Sequence, residues 1–260
     1  MSLNHWLNAV QYLDFALTAA VLATLALKRL APTYRRLFLY LLADLAFSVG
    51  SLAIKPNTTE YAYYFFSAQA VEAILAAAVV LEIYSLALAE HAALARYGIN
   101  MVGYVFVAAS LVAASGLLSV RSAQQAHDPA LFRFLLFERT AEITLALFLI
   151  LITAFIAWFP VKFRNNVIAY ISGFVVLYLS RALSAEVAHL LPPNRKYFAL
   201  LSIARISIFS ACLVWWLVRI RKEGESRTTI VGHAWNLGEA ERLNAQLEAM
   251  NDRLARIGGK

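Results

Sequence analysis

Long unbroken apolar runs dominate the chain and alternate with short polar connections. Seven runs approach or exceed the ~20 residues an α-helix needs to cross a bilayer. They cover 6–27, 37–54, 64–88, 101–120, 131–159, 167–191 and 197–218. None shows a ten-residue alternation of apolar and polar positions, so they predict helices rather than barrel strands. Connections of roughly 5–12 residues make successive helices antiparallel neighbours. After Lys222 the pattern changes. Residues 223–233 are polar and aperiodic and read as a linker. Over 234–258, Ala240, Leu243, Leu247, Met250, Leu254 and Ile257 recur at alternating spacings of three and four. That is the seam of a short coiled coil or of an amphipathic helix. The predicted fold is all-α: a polytopic, seven-transmembrane helix bundle over 1–222, a linker, and a short cytoplasmic C-terminal helix.

Composition agrees with this pattern. Hydrophobic residues make up 61% of the 260 and charged residues 15%, against about 25% charged in a soluble domain. Mean hydropathy is +0.64. A soluble core of this size has no room for so much apolar surface. A soluble enzyme and a disulfide-stapled secreted domain are therefore excluded. The single cysteine, Cys212, lies in an apolar run and reads as a small buried hydrophobe.

Net charge is +7, and its placement decides its meaning. Residues 223–260 hold five basic and six acidic side chains, so the excess belongs to the bundle. The basic residues sit at the ends of apolar runs instead of on one soluble face, which is not a nucleic-acid pattern. With the N-terminus outside, the inner connections carry Lys28, Arg29, Arg35, Arg36, Arg96, Lys162, Arg164, Arg219, Arg221 and Lys222. The outer ones carry Lys55, Arg121, Arg195 and Lys196. The inward excess predicts N-terminus outside and C-terminus inside. No basic residue precedes the first run and Lys28-Arg29 follow it, so that run reads as an uncleaved helix. The expected location is the cell membrane, with the lipid bilayer as first partner. Trp6, Tyr61, Tyr63, Tyr64 and Tyr197 fall at outer ends, and Tyr97, Trp158, Trp215 and Trp216 at inner ones, as an aromatic belt requires. Asn57-Thr58-Thr59 is a glycosylation sequon on the outer side.

Ionisable residues inside the runs are the candidates for chemistry, because a charge at the bilayer centre costs roughly 2.5–3.5 kcal/mol on insertion scales. At 1.5 Å rise per residue, Asp14, Glu72 and Arg205 lie about 12 Å from the outer ends of their helices. Asp44, Arg181 and Glu142 lie about 15 Å in. Glu138, Arg139, Glu186 and His189 stand just above. Acids outnumber arginines at this depth, so at least one carboxyl holds a proton or a cation. Glu138 and Glu142, one turn apart, share a face, whereas Arg181 and Glu186 differ by about 140° and cannot point at one axis. Two readings follow: an outward-facing polar cavity for a small ligand or cation, or interhelical salt bridges such as Arg205 with Glu72 or Glu142 and Arg181 with Asp44. Glu82 lies deep towards the inner side and, with Tyr84, is the candidate inner exit for a carrier.

No lysine lies inside a run, so a retinal Schiff base is excluded. The histidines supply neither a metal-binding pair nor two axial haem ligands, so no cofactor and no metal are expected. No catalytic constellation is evident, so enzyme activity is not expected. The leading functional expectation is a sensor or receptor-like membrane module. It would carry an outward-facing ligand or ion site and an interaction helix that binds a second copy or a cytoplasmic partner. The alternatives are a small secondary transporter or proton-coupled carrier, and a structural subunit of a larger membrane complex.

Overall fold

The computed structural model describes residues 3–54, 58–87, 129–158, 162–190, 195–226, 228–230 and 237–258. The predicted run 101–120 lies outside the described residues. The described residues form α1 (Leu3–Leu27), α2 (Arg35–Ser51), α3 (Thr59–Ala87), α4 (Pro129–Trp158), α5 (Asn165–Leu190), α6 (Arg195–Arg219) and α7 (Leu237–Gly258). A 3₁₀ turn spans Lys222–Glu225, and two short strands, β1 (Lys162–Arg164) and β2 (Thr228–Ile230), pair antiparallel.

The long helices are rich in Ala and Leu, which fit the helix at little entropic cost. α1 to α6 pack in chain order, α1 closes the ring against α6, and α5 also reaches across to α3. Among the described residues, four helices, α1, α3, α5 and α6, are long and apolar enough to cross a membrane, over Ala9–Leu27, Glu60–Leu86, Asn165–Ala188 and Ala199–Arg219. At 17 residues α2 is ~26 Å long, short of a ~30 Å hydrocarbon core. The outer faces carry large apolar side chains, with Leu27 85%, Ile74 69% and Leu151 66% exposed. So many large apolar side chains on the exterior call for an apolar surrounding, and with the four long helices they point to a membrane protein.

The helix ends show how backbone groups are satisfied. Glu82 on α3 supplies what the first turn of α2 lacks: its carboxylate accepts the N–H groups of Arg36 at 3.0 Å and Leu37 at 3.3 Å. This is an N-terminal cap lent by another helix, with its charge on the positive end of the dipole. α1 ends in a Schellman motif. Leu30 N–H returns to Leu25 C=O, Arg29 N–H returns to Ala26 C=O, and Arg29 takes φ 57°. Lys28 then donates to the Ile220 carbonyl at the end of α6, 3.1 Å away. At the start of α3 the Thr58 hydroxyl accepts the Tyr61 N–H, so this residue of the sequon serves as a helix cap.

These pairings place the C-terminal ends of α1 and α6 and the N-terminal ends of α2 and α5 together. Lys28, Arg36, Arg164, Arg219 and Arg221 all belong to this basic end. The core runs inward from it as an aromatic stack. Tyr170, Phe174 and Tyr178 project one turn apart from α5, flanked by Tyr34, Tyr40 and Trp216, all buried. Trp216 is therefore a core residue and not part of a belt, whereas Trp6, Tyr63, Tyr197 and Trp215 are exposed. Gly173 is what admits it: a Cβ there would strike the Trp216 ring.

Candidate functional site

Two polar assemblies stand about 16 Å apart along α5, the rise from Tyr170 to Arg181. The first is a charged layer at mid-helix depth. Arg205 on α6 faces both acids of the α4 ridge, at 3.5 Å from Glu138 and 2.5 Å from Glu142. Arg181 on α5 stands 3.9 Å from Glu72 on α3 and within electrostatic reach of Asp14 and Asp44. Its partner is thus Glu72, where the sequence suggested Asp44. Asp14 accepts a hydrogen bond from the Ser210 hydroxyl at 3.2 Å. Nearer the end opposite the basic one, Arg139 and Glu186 form a two-pronged pair with both bonds at 2.8 Å. Arg181 and Glu186 therefore point to different helices, as their phase difference requires.

The layer is incompletely satisfied. Five carboxyls, on Asp14, Asp44, Glu72, Glu138 and Glu142, stand around two guanidiniums, on Arg181 and Arg205. Glu142 Oε2 is buried with no hydrogen-bond partner. A void of about 20 Å³ opens among Gln69, Glu72, Glu138, Glu142, Tyr178 and Arg181. One water occupies about 10–15 Å³ by the same kind of measure, so the void is sized for a water or a bare small cation. Among the described residues, no group of three or more His, Cys, Asp or Glu side chains has metal-binding geometry.

The second assembly sits at the basic end and was not foreseen from the sequence. Glu225, in the segment read as linker, accepts hydrogen bonds from Tyr34 Oη at 2.5 Å, Asn166 Nδ2 at 2.6 Å and Arg164 Nη1 at 3.1 Å. Asn166 also donates to the Arg221 carbonyl at 2.8 Å and accepts the Arg221 N–H at 3.0 Å. Gly224 is required here because a Cβ would strike the Asn166 amide. β2 then pairs with β1 in the register Lys162 to Ile230 and Arg164 to Thr228. Burial first, and then the Glu225 carboxylate, push the Tyr34 phenol above the ordinary tyrosine range, so it stays a neutral donor. The start of the C-terminal segment is thus bolted to α2 and α5. The signals available were Gly224 and the β-branched run Thr228-Thr229-Ile230.

Contacts join the two assemblies without a gap. The Arg181 guanidinium lies 5.7 Å above the Tyr178 ring. Tyr178 stacks on Phe174 at 5.6 Å, and Phe174 meets Tyr170 edge-on at 5.6 Å. Tyr170 meets Tyr34 edge-on at 5.5 Å and donates its hydroxyl to Glu82 at 3.0 Å.

The remaining candidates are dispersed. Both oxygens of Glu82 are engaged in capping α2 and holding Tyr170. Tyr84 is half-buried one turn from the end of α3. His189 lies at the end of α5, and its side chain is outside the described residues. On α7, Leu247 is buried and Met250 is 49% exposed; the side chains of Ala240, Leu243, Leu254 and Ile257 are outside the described residues. Comparison with protein-family models, with curated proteins and with solved structures finds no match.

Proposed function

We propose that this chain is a membrane sensor whose stimulus is a proton or a small cation in the charged layer. Its output would be the hold on the C-terminal segment at the basic end. The observation that carries the reading is the unbroken path from Glu72 and Arg181 through Tyr178, Phe174 and Tyr170 to Tyr34 and Glu225. The excess of carboxyls favours positive charge in the layer, and the small void limits what delivers it. Loading there weakens the pull of Glu72 on Arg181. The guanidinium then shifts over Tyr178, and the stiff ring stack passes the shift to the Glu225 clamp. A ligand moves such an equilibrium only by binding its two states unequally, and the orphaned Glu142 oxygen is where the difference arises.

The reading places the bundle in the cell membrane as a multi-pass, seven-span protein. Its N-terminus is outside and its basic end faces the cytoplasm, in line with the excess of Lys and Arg there. α7 then lies in the cytoplasm, available to a second copy or to a partner through the side on which Met250 is exposed. No enzymatic step and no resident cofactor enter the reading.

The test uses the full chain in liposomes. Hydrogen exchange over 223–230 and α7 is followed while external pH or Na⁺ is varied, and ion flux is recorded in parallel. The expected result is altered protection of the C-terminal segment without flux, absent in Glu142→Gln. Flux without altered protection overturns the reading in favour of a carrier. Silence in both assays overturns it in favour of a structural subunit.

A further inference from the structure

The outer face of the bundle carries a groove between α5 and α6 that borders the clamp at its mouth and lies apart from the charged layer. At the basic end it is a cavity of about 760 Å³ walled by Ile168, Ala169, Trp215, Val218, Arg219 and Arg221. Deeper along the helices it continues as a cavity of about 410 Å³ lined by Gly173, Val176, Ile208, Ala211, Cys212 and Trp215. Trp215 borders both, so the two cavities adjoin along the helices. The length of the groove from Ile168 to Val176 is ~12 Å, and each part falls in the ~300–1,000 Å³ range of small-molecule sites.

The groove is polar at one end and apolar at the other. The Trp215 indole N–H donates to the Ala169 carbonyl and the Ser172 hydroxyl, both at 3.1 Å, which fixes the ring as a wall. The Arg219 guanidinium lies 4.7 Å above that ring. Arg221 donates Nε–H to the Val218 carbonyl at 3.0 Å. Among the described residues neither arginine forms an ion pair, although Arg139, Arg164, Arg181 and Arg205 all do. Glu223 also borders the mouth, and Lys222 follows the two arginines, so the rim keeps a positive excess. The deeper part is walled by small or aliphatic side chains beside the exposed Val176 and Val214. A free anion would use only the mouth, and a neutral lipid only the slot.

We propose that this groove binds one anionic phospholipid from the leaflet at the basic end, its phosphate against Arg219 and Arg221 and one acyl chain in the slot. The proposal rests on the membrane reading and is independent of the sensor reading. The phosphate stands beside Arg221, whose backbone is clasped by Asn166, so the bound lipid braces the segment that Glu225 holds.

The test is native mass spectrometry of the full-length protein in a mild detergent, titrated separately with phosphatidylglycerol, phosphatidylcholine and inorganic phosphate. Membrane fractionation with carbonate washing checks the membrane reading on its own. One phosphatidylglycerol should be retained about tenfold more strongly than phosphatidylcholine, as two surface arginines allow. The Arg219→Gln/Arg221→Gln double variant should erase that preference and leave weak binding of both lipids. Ala211→Phe, filling the slot, should lower both lipids alike. Arg195→Gln/Lys196→Gln, which removes the same charge at the opposite end, should change nothing. Equal retention of the two lipids by wild type overturns the proposal. So does a preference that survives the arginine double variant, or millimolar phosphate displacing the lipid.

Discussion

The charged layer and the clamp at the basic end are both polar assemblies in an apolar bundle, yet they are finished to different standards. In the clamp every named group has a partner: Glu225 takes three donors and Asn166 uses both ends of its amide. In the layer a carboxylate oxygen is orphaned, one ion pair is stretched to 3.9 Å, and acids outnumber arginines. A satisfied network holds one geometry, whereas a half-satisfied one is poised to change its charge or its occupant. Under the sensor reading proposed above, the layer would receive the stimulus and the clamp would hold the C-terminal segment.

The largest expected effect comes from stranding the acids of the layer. Arg205→Met leaves Glu138 and Glu142 without their shared cation and should cost about 3 kcal/mol in thermal or denaturant unfolding of the detergent-solubilised protein. Glu142→Gln should cost less than about 1 kcal/mol, since it removes a charge that is only half satisfied. If the two substitutions cost the same, the layer is an ordinary salt bridge and the contrast fails.

The clamp should break from a single methyl. Gly224→Ala pushes on Asn166 and should lower protection of Thr228–Ile230 in hydrogen exchange by about 2 kcal/mol, the loss of two hydrogen bonds. Tyr34→Phe removes one donor to a carboxylate and should cost about 1.5 kcal/mol in the same measurement. Because the folded state raises the Tyr34 pKa, its contribution is present below the unfolded tyrosine value of ~10 and is lost as pH rises beyond it. Wild type minus Tyr34→Phe should therefore shrink only on the alkaline side; a difference that does not change with pH sinks that assignment. The smallest effect is Gly238→Ala. Nothing lies within 4 Å of the added Cβ, so α7 should gain about 0.5 kcal/mol of helix stability, read from circular dichroism, and the clamp should not respond.

Much of the helical scaffold could be read from periodicity, since apolar runs and helix bounds share a cause. The run 37–54 and α2 at Arg35–Ser51 show where that cause stops. Apolarity at 52–54 extends past the last helical turn, while the first turn is set by a carboxylate from α3 that no local pattern reveals. In the layer, composition and depth single out the acids and arginines, and Arg205 with Glu142 is among the pairings they allow. Which acid Arg181 faces depends on helix rotation and ring order, which spacing along one helix does not contain. The clamp was illegible for another reason. Tyr34, Asn166 and Glu225 are ordinary residues in separate stretches of the chain, joined across 59 to 191 positions. Polar composition at 223–233 looks the same whether its groups bind water or one another.

Coupling between the two assemblies is the central claim, and a double-mutant cycle measures it. Glu72→Gln and Tyr34→Phe are made singly and together, and the opening free energy of Thr228–Ile230 is read by hydrogen exchange in liposomes. The account predicts an interaction energy above about 0.5 kcal/mol, although the sites share no direct contact. Effects that add within about 0.3 kcal/mol would mean that the ring stack between Arg181 and Tyr34 packs the core and transmits nothing.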